Sequence, residues 1–304
     1  MIEAPGWPAL PYSGWKDTRH TLHLWTQIAG KIRMKLAHPV NHWWHVPLYV
    51  TSYGLTTSPM PYGERSFELV FDFLQHRFRA LCSDGTERIV PLRAQTTAAF
   101  YAAVMAALEE LGIRVTIYTM PSEIPGATPL DKDETNAAYD PAQAEAFWRA
   151  LLSAHHVFTA FRGRFLGKVS PVHFFWGSFD LAVTRFSGRL APPHPGAPIL
   201  PDWVMHEAYS HEVSSAGFWP GGEGLEEPVF YAYAYPSPPG FEAAPVRPAG
   251  ARFEGSMGEF VLPYETARQT SSPHEAVLDF LQSTYAAAAD LGGWDRRALE
   301  RAEA

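Results

Sequence analysis

Apolar residues recur at three- and four-residue spacing over 22–32 and 144–161, the period of a helix laying one face on a core. Two further helices are expected over 100–112 and 280–292. Thr96 and Thr97 stand where an N-cap belongs before the first of these. Ser272 before Pro273 does the same for the second. Both end in Leu-Gly, at Gly112 and Gly292, which puts glycine where a left-handed C-cap is wanted. Elsewhere the period drops to two. Tyr231, Tyr233 and Tyr235 alternate with Phe230, Ala232 and Ala234. Upstream, His173, Phe175, Phe179, Leu181 and Val183 are expected on one face of a strand, with Phe174, Trp176, Asp180 and Thr184 on the other.

The pattern repeats. Pro39-Val40-Asn41-His42-Trp43-Trp44 has a counterpart in Pro171-Val172-His173-Phe174-Phe175, and each is preceded by a helical segment and a Gly-Lys pair, Gly30-Lys31 and Gly167-Lys168. Val90-Pro91-Leu92 parallels Leu262-Pro263-Tyr264, and the helices from Phe100 and Phe280 align in their Phe, Ala-Ala and Leu-Gly positions. Runs of strands without helices between them favour antiparallel pairing. The expected class is therefore α+β: internally duplicated helix–antiparallel sheet–helix units packed about a pseudo-twofold axis. The halves would span 1–128 and 129–304 and form one compact unit, with an insertion at about 191–228 in the second.

Composition narrows the function. Nearly half of the 304 residues are apolar, which excludes disorder for the bulk of the chain. A net charge of −8 argues against binding nucleic acid or an anionic membrane. No apolar run is long enough to span a bilayer, and Met1-Ile2-Glu3-Ala4-Pro5 lacks the features of a signal peptide. The lone Cys82 cannot form an internal disulfide and is expected in the core or a strand. A cytoplasmic protein is the expectation.

Thirteen histidines, several inside aromatic strings, supply the candidate chemistry. The sharpest string is His206-Glu207-Ala208-Tyr209-Ser210-His211-Glu212, whose spacing differs from the zincin motif. On a helix or a strand alike, Glu207 and His211 would meet, as an oriented base or as metal ligands. His173 is the expected third partner, and His42 would approach it across the seam between halves. Arg185 and Arg189 are placed to clamp an anionic group, with Arg162, Arg164 and Lys168 as a further basic cluster. Trp176 and Trp219, among other aromatics, line either a flat apolar pocket or a core. The glycines around Lys168 are spaced wrongly for a P-loop, and no dinucleotide, nucleophile-elbow or CxxC motif occurs.

Asn41-His42-Trp43-Trp44-His45 through Tyr49-Val50-Thr51, Ser170-Pro171-Val172-His173-Phe174-Phe175-Trp176-Gly177-Ser178-Phe179-Asp180-Leu181 and the stretch 206–220 resemble an uncharacterised bacterial family catalogued as a domain of unknown function. The resemblance covers nearly the whole chain. It implies a bacterial cytoplasmic protein forming one family unit and carries over no activity, cofactor or catalytic residue.

The leading expectation is an enzyme acting on a small molecule in a pocket between the halves. His173, Glu207 and His211 would be catalytic, and Arg185, Trp176, Trp219 and His42 would hold the substrate. His206, Glu207, His211 and Glu212 would ligate a divalent metal, zinc or iron. The alternative is a non-catalytic binder of small ligands, with an aromatic pocket and structural His-Glu pairs.

Overall fold

A computed structural model describes residues 6–197, 200–222 and 224–302. The N-terminal residues 1–5 and Glu223 of the Gly-rich string lie outside the described residues.

The first part of the chain runs α1 (Tyr12–Leu36), β1 (Tyr49–Val50), β2 (Gly54–Thr56), β3 (Met60–Tyr62), β4 (Arg65–Asp72), β5 (Arg77–Cys82), β6 (Glu87–Pro91) and α2 (Thr97–Glu110). The second runs α3 (Pro141–Gly163), β7 (His173–Phe175), β8 (Asp180–Leu190), α4 (Asp202–Ala208), β9 (His211–Trp219), β10 (Val229–Tyr235), β11 (Arg252–Glu254) and β12 (Glu259–Pro263). It ends in α5 (Tyr264–Arg268), α6 (Pro273–Leu291) and α7 (Arg296–Leu299). The class is α+β, with every strand pair antiparallel.

Each part contributes one sheet. The first is ordered β1-β2-β4-β5-β6, with β3 continuing the line of β2 along β4. The second is ordered β11-β12-β10-β9-β8-β7. Their edges meet where Leu48 and Phe174 exchange backbone hydrogen bonds of 2.9 Å in both directions. One hydrophobic core runs from Leu10 to Ala289. Inside it Trp25 stacks on Phe100 at 4.3 Å, and Phe147 on Phe179 at 5.1 Å.

The helices follow the expected periods, and Thr96 caps α2 by accepting from the Ala99 amide at 3.1 Å. Gly112 is left-handed as a C-cap requires, whereas beyond α6 that role falls to Gly293 and Gly292 stays helical. The Ser272 side chain makes no cap bond. The run 173–184 is not one strand. It is the β7–β8 hairpin, broken at 176–179 where Phe179 takes φ 62. Nor is 191–228 wholly an insertion, since β9 lies mid-sheet between β8 and β10. The β10 alternation holds: Phe230, Ala232 and Ala234 enter the main core, while Tyr231 and Tyr233 face the other side.

Candidate functional site

The His206–Glu212 string is divided between two elements. His206 and Glu207 close α4, while His211 and Glu212 open β9, so the string is neither one helix nor one strand. His206 Nε2 bonds the His194 carbonyl at 3.1 Å, and Glu212 accepts from Arg189 at 2.7 Å and Ser187 at 2.8 Å. No hydrogen bond or ion pair joins Glu207 to His211 among the described residues; the charge of Glu207 bears on His45 instead. Among the described residues no three His, Cys, Asp or Glu side chains converge as a metal-ligand set.

His211 has a different neighbour. Its ring lies 5.7 Å from that of His42, which is buried in a left-handed backbone conformation at φ 59. His42 Nδ1 donates to the Ala208 carbonyl at 3.1 Å, which leaves Nε2 to accept from the Lys168 ammonium at 2.7 Å. Burial, Lys168 and His211 all push the His42 imidazole toward its neutral form. His173 does not join this pair. Trp44 stands between, 5.2 Å from His42 and 5.7 Å from His173. His173 is 1% exposed, its Nε2 has no hydrogen-bond partner among the described residues, and burial with the charges of Arg33 and Arg162 lowers its pKa to about 3.

Arg185 is wholly buried, with its guanidinium 3.4 Å from the Phe161 ring centre and 4.3 Å from that of Tyr285. It meets rings rather than an opening, and desolvation lowers its pKa to about 9. Trp176 is a core residue that donates Nε1 to the Val46 carbonyl at 2.8 Å. Trp219 flanks the small cluster of Val229, Tyr231 and Val261.

The denser chemistry lies on the face of the second sheet that turns away from α3 and α6. The register aligns Ala182 with Gly217 and Gly217 with Tyr231, so Asp180, Gly217, Tyr231 and Tyr233 share that face. Glu259, two residues before Val261 on β12, joins them because Val261 opposes Tyr231. Asp180 accepts from both the Tyr231 and Ser178 hydroxyls. Gly217 leaves room for the Tyr231 ring, where a Cβ would collide. Tyr233 shares a 2.7 Å hydrogen bond with Tyr209, which packs with His194 and Tyr235. Glu123 reaches in from the loop after α2 and rests its carboxylate on Gly177. Burial and the neighbouring Asp180 raise both Glu123 and Glu259 to about 7. Asp180 is itself raised by burial, and Tyr231 is pushed well above its ordinary value. Carboxylates raised in this way take up protons closer to neutral pH than solvated acids do.

A polar stripe on α1 borders this centre. Arg19, His23, Gln27 and Lys31 follow one another at four-residue spacing and are all buried. His23 Nε2 donates to the Gly177 carbonyl at 2.8 Å, and burial with Arg19 nearby lowers its pKa to about 3. Gln27 binds both the amide and the carbonyl of Ser122, at 2.7 and 2.8 Å. Lys31 donates to the Ser122 hydroxyl at 2.9 Å.

Sequence reasoning named Asp180 as a facing residue and Tyr231 as part of an alternation, and missed Glu123, Glu259, His23, Lys31 and Ser122. The α1 stripe had a signal: polar residues at strict four-residue spacing in a helix whose other faces are also apolar. Glu123 and Glu259 had none, being ordinary acids in a loop and at a strand end.

No curated protein and no solved structure matches the chain. Residues 7–301 match the family model DUF5996, a family of unknown function. Because that match spans almost the whole length, including both sheets and the carboxylate–tyrosine face between them and α1, the chain belongs to DUF5996.

Proposed function

We propose that the chain is an enzyme acting on a small molecule at the His/carboxylate centre where residues of both parts of the chain meet. The observation that carries this is the pair Glu123 and Glu259, brought from distant stretches to Asp180 and raised to about 7. Drawing carboxylates out of water in this way costs free energy that apolar residues at the same places would avoid. Acid–base catalysis at neutral pH needs such a poise. In this reading Glu123 and Glu259 exchange protons with the substrate. Asp180, held by Tyr231 and Ser178, keeps one acid protonated at a time, and neutral His23 fixes the 176–179 turn. Acid–base chemistry is thus carried forward at Glu123, Glu259 and Asp180, in place of the expected His173, Glu207 and His211, and the divalent-metal form is not.

The same reading takes the two parts as copies of one unit about a pseudo-twofold axis, which the shared order of helix, meander and helix supports. A buried Cys82 and the negative charge favour a cytoplasmic setting away from nucleic acid. The test is incubation of the purified protein with a bacterial small-molecule extract, followed by mass spectrometry. The expected result is consumption of a compound by the wild type and not by Asp180→Asn or Tyr231→Phe. Saturable binding with no turnover would instead favour the non-catalytic binder.

A further inference from the structure

We propose that Ser122 is a nucleophile and Lys31 its general base, giving the chain an acyl-transfer activity toward a carboxylic ester or thioester. This goes beyond the carboxylate centre and does not depend on it. Lys31 is 2% exposed and donates a hydrogen bond to the Ser122 hydroxyl at 2.9 Å. Among the described residues no ion pair neutralises it. The groups packed against it are the rings of Trp176 at 5.6 Å and Tyr118 at 5.8 Å. Tyr118 is the one titratable side chain among these neighbours; on its own helix the nearest polar residues of the stripe are Gln27 and His23, and Glu123 follows Ser122 on the loop. Burial alone accounts for the fall of the Lys31 pKa to about 8. A buried ammonium without a counter-ion is a poor structural element, whereas a desolvated lysine beside a serine hydroxyl is a serine–lysine pair.

The backbone around Ser122 is fixed as a nucleophile requires. Gln27, one turn before Lys31 on α1, clamps the amide and carbonyl of Ser122 together. The next residue, Glu123, takes φ 61, so the chain turns sharply just past the hydroxyl. Ser122 is half-buried, and the adjoining Tyr118 is 74% exposed, which marks the solvent side of the pair.

The step balances without an outside oxidant or cofactor. Ser122 Oγ bonds to the acyl carbon as its proton passes to neutral Lys31 Nζ. The tetrahedral adduct collapses, the C–O or C–S bond breaks, and the leaving alcohol or thiol takes the proton from Lys31. Water then attacks the acyl-Ser122 with Lys31 again accepting the proton, and Lys31 returns it to Ser122 Oγ as the acyl C–O bond breaks, which frees the acid and the serine.

A fluorophosphonate probe tests the pair without a known substrate, since attack by Ser122 expels fluoride and leaves a stable adduct. Peptide mass spectrometry should find the adduct on Ser122 in the wild type, formed faster as pH rises through about 8, and absent in Ser122→Ala. Lys31→Met should slow labelling about 100-fold or more. Lys31→Arg, which keeps the charge but does not surrender its proton, should slow it likewise, with circular dichroism confirming that both variants fold. No adduct on Ser122 at any pH, or labelling at the wild-type rate in either folded lysine variant, overturns the pair. That failure would leave turnover lost in Asp180→Asn untouched, so the two proposals fall separately.

Discussion

His173 and Glu259 are displaced from their ordinary titration ranges in opposite senses, and each leaves a mark on stability. The pKa of His173 falls to about 3, so the unfolded chain takes up a proton near 6.5 that the folded chain refuses. Its contribution is complete above 6.5 and is lost as pH falls toward 3. Glu259 is raised to about 7, so its contribution is complete below its ordinary value of 4.5 and is lost as pH rises through 7. Between about pH 5.5 and 8, the folded chain releases a proton at Glu259 that the unfolded chain has already lost, a cost of about 2 kcal/mol. Urea unfolding across that range should therefore show Glu259→Gln losing about 2 kcal/mol less than the wild type as pH rises. Parallel pH profiles for the two proteins would remove the buried-acid centre. The chemistry of neither residue was legible beforehand. Histidine counts pointed to His173, but its isolation behind Trp44 depends on a ring from another element. An acid at a strand end looks solvated until Tyr233 on the paired strand β10 covers it and the charge of Asp180 on β8 bears on it.

Elements pack on one another through positions that look unremarkable in the sequence, and Gly30 is the clearest. A glycine inside α1 is a weak helix position, and alanine there would ordinarily gain about 1 kcal/mol. Here a Cβ would fall within the Trp176 indole, which lies flat on the helix and reaches on to the Val46 carbonyl. Gly30→Ala should therefore destabilise by about 1–3 kcal/mol, the range for overpacking a filled core. Urea unfolding followed by far-ultraviolet circular dichroism measures it. A variant as stable as the wild type would mean that the indole can move aside at little cost. The four long helices were legible because their apolar period is long and their ends carry capping residues. The β7–β8 hairpin was not, because the aromatic run on either side of Gly177-Ser178 continues the alternation through the turn. The 206–212 string misled for a related reason: helix end and strand start fall inside seven residues, so no single period places Glu207 against His211.

At the scale of the whole molecule, what each part lacks the other supplies. His23 on α1 finds the Gly177 carbonyl, Trp148 on α3 donates to the Thr51 carbonyl at 3.0 Å, and Leu48 pairs with Phe174 at the sheet edges. The core is continuous from Leu10 to Ala289, so a cut near residue 128 would expose apolar surface on both sides. It would also strip buried His23 of the Gly177 carbonyl that the second part provides. The shared core and these bonds make the two parts interdependent. Expressed separately, 1–128 and 129–304 should each lack the near-ultraviolet circular dichroism of fixed aromatic packing. Mixed, they should recover it with about one-to-one stoichiometry, while the intact chain unfolds in urea as one transition by fluorescence and far-ultraviolet signals alike. A fragment that unfolds cooperatively on its own would contradict this. It would also weaken the carboxylate centre, since Glu123 meets the charge of Asp180 only if the two parts fold as one.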